Sequence, residues 1–270
     1  MGDALDDRLA ALEGLLRSLA PVRLAVSGGV DSMTLALVAG RALGREAGVV
    51  HAVSPAVPPE ATERVVSVGW REGWVVDLVD AGEFADEAYL GNPYDRCFHC
   101  KTHLYRAIAR RGPGTLLSGT NTDDLGDYRP GLLAARDHGV RHPFVEAGID
   151  KAMVRALCRH LGYPDLAGLP AAPCLSSRVE TGVRIEARLL ALVHRVEREL
   201  AEAFNPLVVR CRVRRDAVAV EVDPTTLEVL RNGHGGRWEA RIAALAREHG
   251  APGEILFEPY RRGSAFVPPP

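Results

Sequence analysis

Ser27-Gly28-Gly29-Val30-Asp31-Ser32 stands between the short apolar run 22–26 and a helical pattern over residues 32–44. These six residues decide the fold. A strand that turns on two glycines straight into a helix opens a strand–helix–strand unit. The glycines let backbone N–H groups converge on an anion with no Cβ in the way. The N-terminus of the following helix adds partial positive charge. Ser27 and Ser32 offer hydroxyls to phosphate oxygens. Asp31 repels a bare anion, so its presence points to a Mg2+ shared with phosphates. The G-x-x-x-x-G-K-[ST] spacing is absent, which excludes a kinase-like or GTPase-like phosphate loop.

Working outward, Leu5, Leu9, Leu12, Leu15, Leu16 and Leu19 recur at helical spacing and predict a helix over 4–20. Strands over 49–53, 74–79 and 115–118 alternate with helices over 59–72 and 98–111. That alternation predicts an α/β domain with a parallel sheet covered on both faces. A helix over 150–161 follows, with Met153, Val154, Leu157, Cys158 and Leu161 on its apolar face. After Gly162 a Pro- and Gly-rich stretch leads to Cys174. The remainder reads as a smaller α+β unit: a long helix over 185–203, strands over 207–213 and 217–222, a short helix after Pro224, a helix over 237–249 and a strand over 254–258. The expected domains are residues 1–175 and 176–270.

The chain has 270 residues and a net charge of -2, so no general basic field would hold it on nucleic acid. No apolar run approaches the ~18 residues needed to span a bilayer. The N-terminus lacks the layout of a signal peptide, and a cytoplasmic protein is expected. There the five cysteines serve as thiols or metal ligands rather than as a disulfide frame.

Cys97-Phe98-His99-Cys100 is a C-x-x-C at a loop-to-helix junction. Zinc, a redox pair and an iron–sulfur cluster all use that spacing. Cys174 lies between a proline-rich loop and Leu175-Ser176-Ser177-Arg178, an exposed and electropositive setting that suits a reactive or ligating thiolate. Cys158 and Cys211 read as core residues. The segment Gly119-Thr120-Asn121-Thr122-Asp123-Asp124, with Asp127 and Arg129 close behind, follows a strand on its carboxyl side. Asp123, Asp124 and Asp127 can hold Mg2+ or a substrate cation, and Arg129 a phosphate or carboxylate. Arg210, Arg212 and Arg214 alternate along a strand and share one face, with Glu221 on the next strand. Two readings stand for that row, an anionic-ligand face and an exposed strand face.

Taken in order, SGGVDS, NPYDRCFHCK, SGTNTDDLGDYRPGL, PCLSSRVETG and VRCRVRRDAVAVEV narrow the reading. The loop resembles that of the PP-loop ATP pyrophosphatases. From about residue 5 to residue 265 the chain resembles the LarE-type sulfur transferases within them. The resemblance implies that ATP binds with its adenine near Ala52 and Ser54 and is cleaved between its α- and β-phosphates. It implies adenylation of a carboxylate of pyridinium-3,5-biscarboxylic acid mononucleotide, then replacement of AMP by sulfur to give a thiocarboxylate. The product serves assembly of the nickel-pincer nucleotide cofactor.

On this reading Ser27, Gly28, Gly29, Ser32 and Gly119 attend the nucleotide, with Asp31 toward Mg2+. Asp124, Asp127, Arg129, Arg178, Arg210, Arg212 and Glu221 attend substrate or phosphates. Cys174 takes the position of the sulfur-handling cysteine. In one subtype that cysteine gives up its own sulfur and becomes dehydroalanine. In the other, three cysteines hold a [4Fe-4S] cluster whose extra sulfide is the donor, and the presence of Cys97 and Cys100 beside Cys174 favours this one. A homo-oligomer acting on a small pyridinium nucleotide is expected, with neither nucleic acid nor membrane as partner. A tRNA-thiolating PP-loop enzyme is the main alternative, opposed by the lack of an RNA-binding module and of a basic surplus. The stretch Pro259-Tyr260-Arg261-Arg262-Gly263 departs from the Gly-Tyr-Arg-Ser-Gly pattern with which the family often ends.

Overall fold

The computed structural model of the chain describes residues 2–126 and 130–268. Asp127 and Arg129, two of the expected site residues, lie outside the described residues. In chain order the elements are α1 (Gly2–Leu19), β1 (Val22–Ala25), α2 (Val30–Leu43), β2 (Ala47–Ala52), α3 (Pro59–Glu72), β3 (Val76–Val79), α4 (Glu87–Leu90), α5 (Arg96–Ala109) and β4 (Thr115–Ser118). There follow α6 (Pro130–Asp137), α7 (Pro143–Glu146), α8 (Lys151–His160), α9 (Pro164–Gly168), α10 (Ala187–Phe204), β5 (Val209–Val213), β6 (Ala217–Val222), α11 (Pro224–Val229), α12 (Gly235–Glu248) and β7 (Glu254–Pro259).

The chain divides into two compact units, Met1–Glu83 with Cys97–Ala172, and Phe84–Arg96 with Pro173–Pro270. In the first, four parallel strands run in the order β3-β2-β1-β4. Their side chains are apolar on both faces, as a sheet covered by helices requires: Val22, Leu24, Val49 and Val50 are all buried. Helix α2 is apolar nearly all round and is buried from Ser32 to Ala39. Leu12 and Leu16 of α1 and Val154, Leu157 and Cys158 of α8 join the same core. Proline at its first position starts α3, and the left-handed Gly73 ends it. The N–H of Trp74 is taken by Gly69 O at 2.8 Å in that cap. Pairing of β3 therefore begins two residues later than the apolar run suggests.

The chain lays down β1, β2 and β3 in one direction and then returns to place β4 on the other side of β1. The order reverses between β1 and β4. In an open parallel sheet the loops leaving such a pair of strands flank a crevice, and ligands bind there. The loops in question are Ser27–Gly29, running into α2, and Gly119–Asn121.

The second unit holds a mixed sheet, β5-β6-β7, with β5 antiparallel and β7 parallel to β6. Helix α10 buries Leu189, Leu190, Val193, Val196 and Leu200 on one side and ends at the left-handed Asn205. The segment Phe84–Arg96 is stitched into this unit by the fully buried Asn92. Its side-chain amide donates to Glu180 O at 2.7 Å and to Val183 O at 2.9 Å. Its own carbonyl accepts from the N–H of Gly182 at 2.9 Å. The Tyr89 and Ser176 hydroxyls add a buried 2.6 Å hydrogen bond. A single boundary drawn along the chain does not anticipate this excursion, because the partners of Asn92 lie almost ninety residues away.

Candidate active site

The loop after β1 is built by its own hydroxyls. The N–H of Ser27 donates to Ser32 Oγ at 3.0 Å, and the two serine hydroxyls lie 3.1 Å apart. Gly28 sits at φ 81°, a conformation that side chains rarely adopt, and a Cβ there would meet Ala61 O at 2.7 Å. Arg64 on α3 holds the Gly28 carbonyl at 2.9 Å. The first backbone bond of α2 runs from Met33 N–H to Gly29 O. The N–H groups ahead of it in the first turn have no partner inside the helix, so they face outward as donors.

The loop after β4 closes on this turn. A Cβ at Gly119 would lie 2.7 Å from Ser32 N and 2.8 Å from Asp31 C, both backbone atoms of α2. Only a glycine lets the two loops approach so closely. Asn121, buried, donates from Nδ2 to Asp31 Oδ1 at 3.2 Å. Its Oδ1 accepts from the N–H of Asp123 at 3.0 Å, and its own N–H donates to Asp124 Oδ2 at 3.1 Å. From α8, Lys151 Nζ reaches the other Asp31 oxygen at 2.5 Å. Asp31, Ser32, Gly119, Asn121, Asp124 and Lys151 thus gather at the switch point between β1 and β4.

Lys151 and Asn121 were not picked out from the sequence. A signal for the lysine existed. Asp150 caps α8 by accepting from Met153 N–H at 2.7 Å, which makes Lys151 the first helical residue. A cation at that end opposes the helix dipole and calls for an anionic partner. The end of β2 supplies Ala52 and Ser54, and Ser54 Oγ accepts from the N–H of Ala56 at 3.3 Å.

Two histidines lie beneath these loops. His51 is buried. Its Nδ1 sits 2.8 Å from Val26 O, a pure acceptor, so Nδ1 carries the proton, and Nε2 takes the Thr62 hydroxyl at 2.9 Å. His142 Nδ1 meets Ser118 Oγ at 2.8 Å. Burial pushes both pKa values below the ordinary 6.5. The Val26 carbonyl partly offsets this for His51, and Glu146 and Asp124 for His142. A depressed folded-state pKa means that the unfolded chain takes the proton first. The stabilisation is present above pH 6.5 and is lost as pH falls from there through the lowered folded values. Urea midpoints are therefore expected to fall on acidification through this window. His51→Gln, which can keep both hydrogen bonds, should flatten the dependence; an unaltered slope in that variant would place the acid sensitivity elsewhere.

No family model matches the chain. An uncharacterized protein of Synechocystis sp. is 36% identical over 229 residues, covering 83% of this chain and 84% of that protein. Pyridinium-3,5-bisthiocarboxylic acid mononucleotide synthase of Lactiplantibacillus plantarum is 30% identical over 223 residues, covering 81% of this chain and 80% of that protein. The chain belongs to this synthase family, the LarE family. An uncharacterized protein of Methanocaldococcus jannaschii is more distant, at 20% identity over 211 residues. No helix among the described residues is long and apolar enough to cross a membrane.

In this LarE-family chain none of the five cysteines forms a disulfide. Cys158 and Cys211 are buried as expected, and burial pushes the pKa of each thiol up. Cys97 and Cys100 are half-buried, one helical turn apart at the start of α5. Cys174 is exposed and belongs to the second unit. Among the described residues, no set of three or more His, Cys, Asp or Glu side chains is grouped as metal ligands. The fit of an iron–sulfur cluster is therefore one of donor type: thiols are its ligands, and two of them share one helical turn.

Arg178 braces the backbone around Cys174. Its Nη1 donates to Pro173 O at 2.6 Å, to Ser177 Oγ at 2.9 Å and to Cys174 O at 3.2 Å. Its other edge makes a fork with Glu197 at 2.9 and 3.0 Å. Glu197, also missed in the sequence, accepts from the N–H of Cys211 as well, which ties the brace to β5. The arginine row on β5 is neither exposed nor bare. Arg212 is buried against Glu221 at 3.0 Å, and Arg214 pairs with Glu258 at 2.7 Å. Arg210 is half-buried, its guanidinium 6.0 Å from the Tyr260 ring, and burial lowers its pKa, with the Arg178 charge adding to the effect. A carboxylate of the protein already balances each of Arg212 and Arg214, so part of the row's charge serves the sheet itself.

Proposed function

We propose that the protein is an ATP-dependent sulfur transferase that converts a carboxylate of pyridinium-3,5-biscarboxylic acid mononucleotide into a thiocarboxylate. The observation that carries the reading is the switch-point crevice of the first unit. There a glycine turn, the N-terminus of α2 and Lys151 face the place where phosphates bind in parallel sheets. Membership of the LarE family supplies the substrate class.

In the first step a carboxylate oxygen attacks the α-phosphorus of ATP. The bond to the β-phosphate oxygen breaks, pyrophosphate leaves, and an acyl-adenylate remains. The first-turn N–H groups of α2 and the hydroxyls of Ser27 and Ser32 hold the phosphates. Lys151 lies where it can leave Asp31 and follow the negative charge that collects on the departing pyrophosphate. A Mg2+ needs one or two carboxylates and takes its remaining ligands from phosphates and water. Asp31 fits that demand and would hold it, where the ion neutralises charge on the phosphate oxygens.

In the second step a hydrosulfide attacks the acyl carbon and AMP leaves with the electrons of the broken C–O bond, giving the thiocarboxylate and a proton. Cys174 is the sulfur-handling residue, on a backbone held by Arg178. Cys97, Cys100 and Cys174 would hold a [4Fe-4S] cluster, which supplies an iron position able to carry a sulfide.

The test is to mix anaerobically purified protein with ATP and the dicarboxylate mononucleotide and to assay pyrophosphate, iron and sulfide. Release of pyrophosphate that needs both compounds is expected, with four irons per chain. No pyrophosphate would sink the reading as a whole. Full activity without iron, with Cys174 recovered as dehydroalanine, would replace the cluster by the sacrificial route.

A further inference from the structure

Three arginines of the second unit are almost wholly buried, Arg178, Arg212 and Arg96, the last at 2% exposure. The first two are locked to carboxylates, Glu197 and Glu221. Arg96 differs from them. Its Nη1 and Nη2 are both buried and have no hydrogen-bond partner among the described residues. The Phe266 ring covers its guanidinium, with the centroid 4.0 Å from Cζ. That stacking satisfies one face of the cation but leaves the in-plane donors unused. Asn92 Oδ1 and Ser264 Oγ, in the two chain segments that carry Arg96 and Phe266, are likewise buried without partners. Folded proteins leave few such atoms, and a guanidinium with two open Nη groups matches the paired oxygens of an oxyanion.

We propose that Arg96 is a binding residue for a carboxylate or phosphate group of a small ligand, with Phe266 as its cover. The proposal rests on the substrate class given above, whose second ring carboxylate and ribose phosphate are the two sources of such a group. The cover sits in a short turn next to Thr181, whose hydroxyl also accepts from the N–H of Val267 at 3.2 Å. Phe266 N–H bonds Gly263 O at 2.9 Å, and Ala265 O accepts from the N–H of Thr181 at 2.9 Å and from its hydroxyl at 3.2 Å. Gly263 itself turns at φ 74°. With Arg96 2% exposed, an anion reaches the fork only when the groups over it, Phe266 among them, move aside.

Calorimetric titration of the full chain with two probes, pyridine-3,5-dicarboxylate and ribose 5-phosphate, separates the sources. Arg96→Gln is expected to bind one probe about tenfold or more weakly, the loss appropriate to hydrogen bonds made by a charged group. Its affinity for the other probe should hold, and the probe affected names the group. Phe266→Ala should speed association of that same probe. Equal affinity of the wild type and Arg96→Gln for both probes would overturn the proposal, as would failure of the wild type to bind either. If Arg96→Gln does not fold, Phe266→Ala decides: unchanged affinity and association rate for both probes overturn it. Pyrophosphate release by the same wild-type preparation reports on the proposed reaction separately, because the probes bind without turnover.

Discussion

Cys174→Ala is expected to abolish thiocarboxylate formation while pyrophosphate release continues at its wild-type rate in a single turnover. The loss is total because Cys174 is needed on either route, as third ligand of the cluster or as donor of its own sulfur; Cys97 and Cys100 are half-buried on α5, and Cys158 and Cys211 lie in the cores. Pyrophosphate release survives because the groups assigned to it, from Ser27 to Lys151, all belong to the first unit, whereas Cys174 belongs to the second. The brace from Arg178 holds the carbonyls of Pro173 and Cys174, not the thiol, so alanine leaves it in place. Rapid quench with labelled ATP would show a burst of pyrophosphate and an acyl-adenylate that accumulates or hydrolyses. A variant that neither binds ATP nor releases pyrophosphate would contradict the separation of roles.

Lys151→Met is expected to slow pyrophosphate release by about 10²- to 10³-fold, the usual cost of removing one donor aimed at developing charge. Lys151 pairs with Asp31 at 2.5 Å, and both side chains are about a third exposed or less. An ion pair of that kind contributes little to stability, since solvent screens it. Methionine keeps the length of the side chain and removes its charge. The melting temperature should therefore move little while the rate falls, and the KM for ATP should rise because Asp31 then repels the phosphates. Lys151→Arg keeps the charge and should recover part of the rate. Equal rates for Lys151→Met and the wild type would remove the lysine from the reaction.

Much of this protein was legible in one dimension. Local chemistry determined the strand–glycine turn–helix at Ser27–Ser32, the helix over 59–72 opened by proline, and the strands at 115–118 and 217–222, all found where their patterns put them. The short helices α6, α7 and α9, each opened by a proline, escaped because they are too brief to show a period. Burial of Cys158 and Cys211 followed from helical and strand periodicity, which act over a few residues. Tertiary structure decided the rest, because the partners are far apart along the chain. Asp31 meets Lys151 across 120 residues, and Gly119 earns its glycine only from the backbone of α2. Asn92 draws the segment ahead of Cys97 into the unit of Cys174. The arginine row illustrates the difference most plainly. Alternation put Arg210, Arg212 and Arg214 on one face, but only the pairing of β6 with both β5 and β7 brought Glu221 and Glu258 beside them. Buried charge is matched within the sheet there, Arg212 by Glu221 and Arg214 by Glu258.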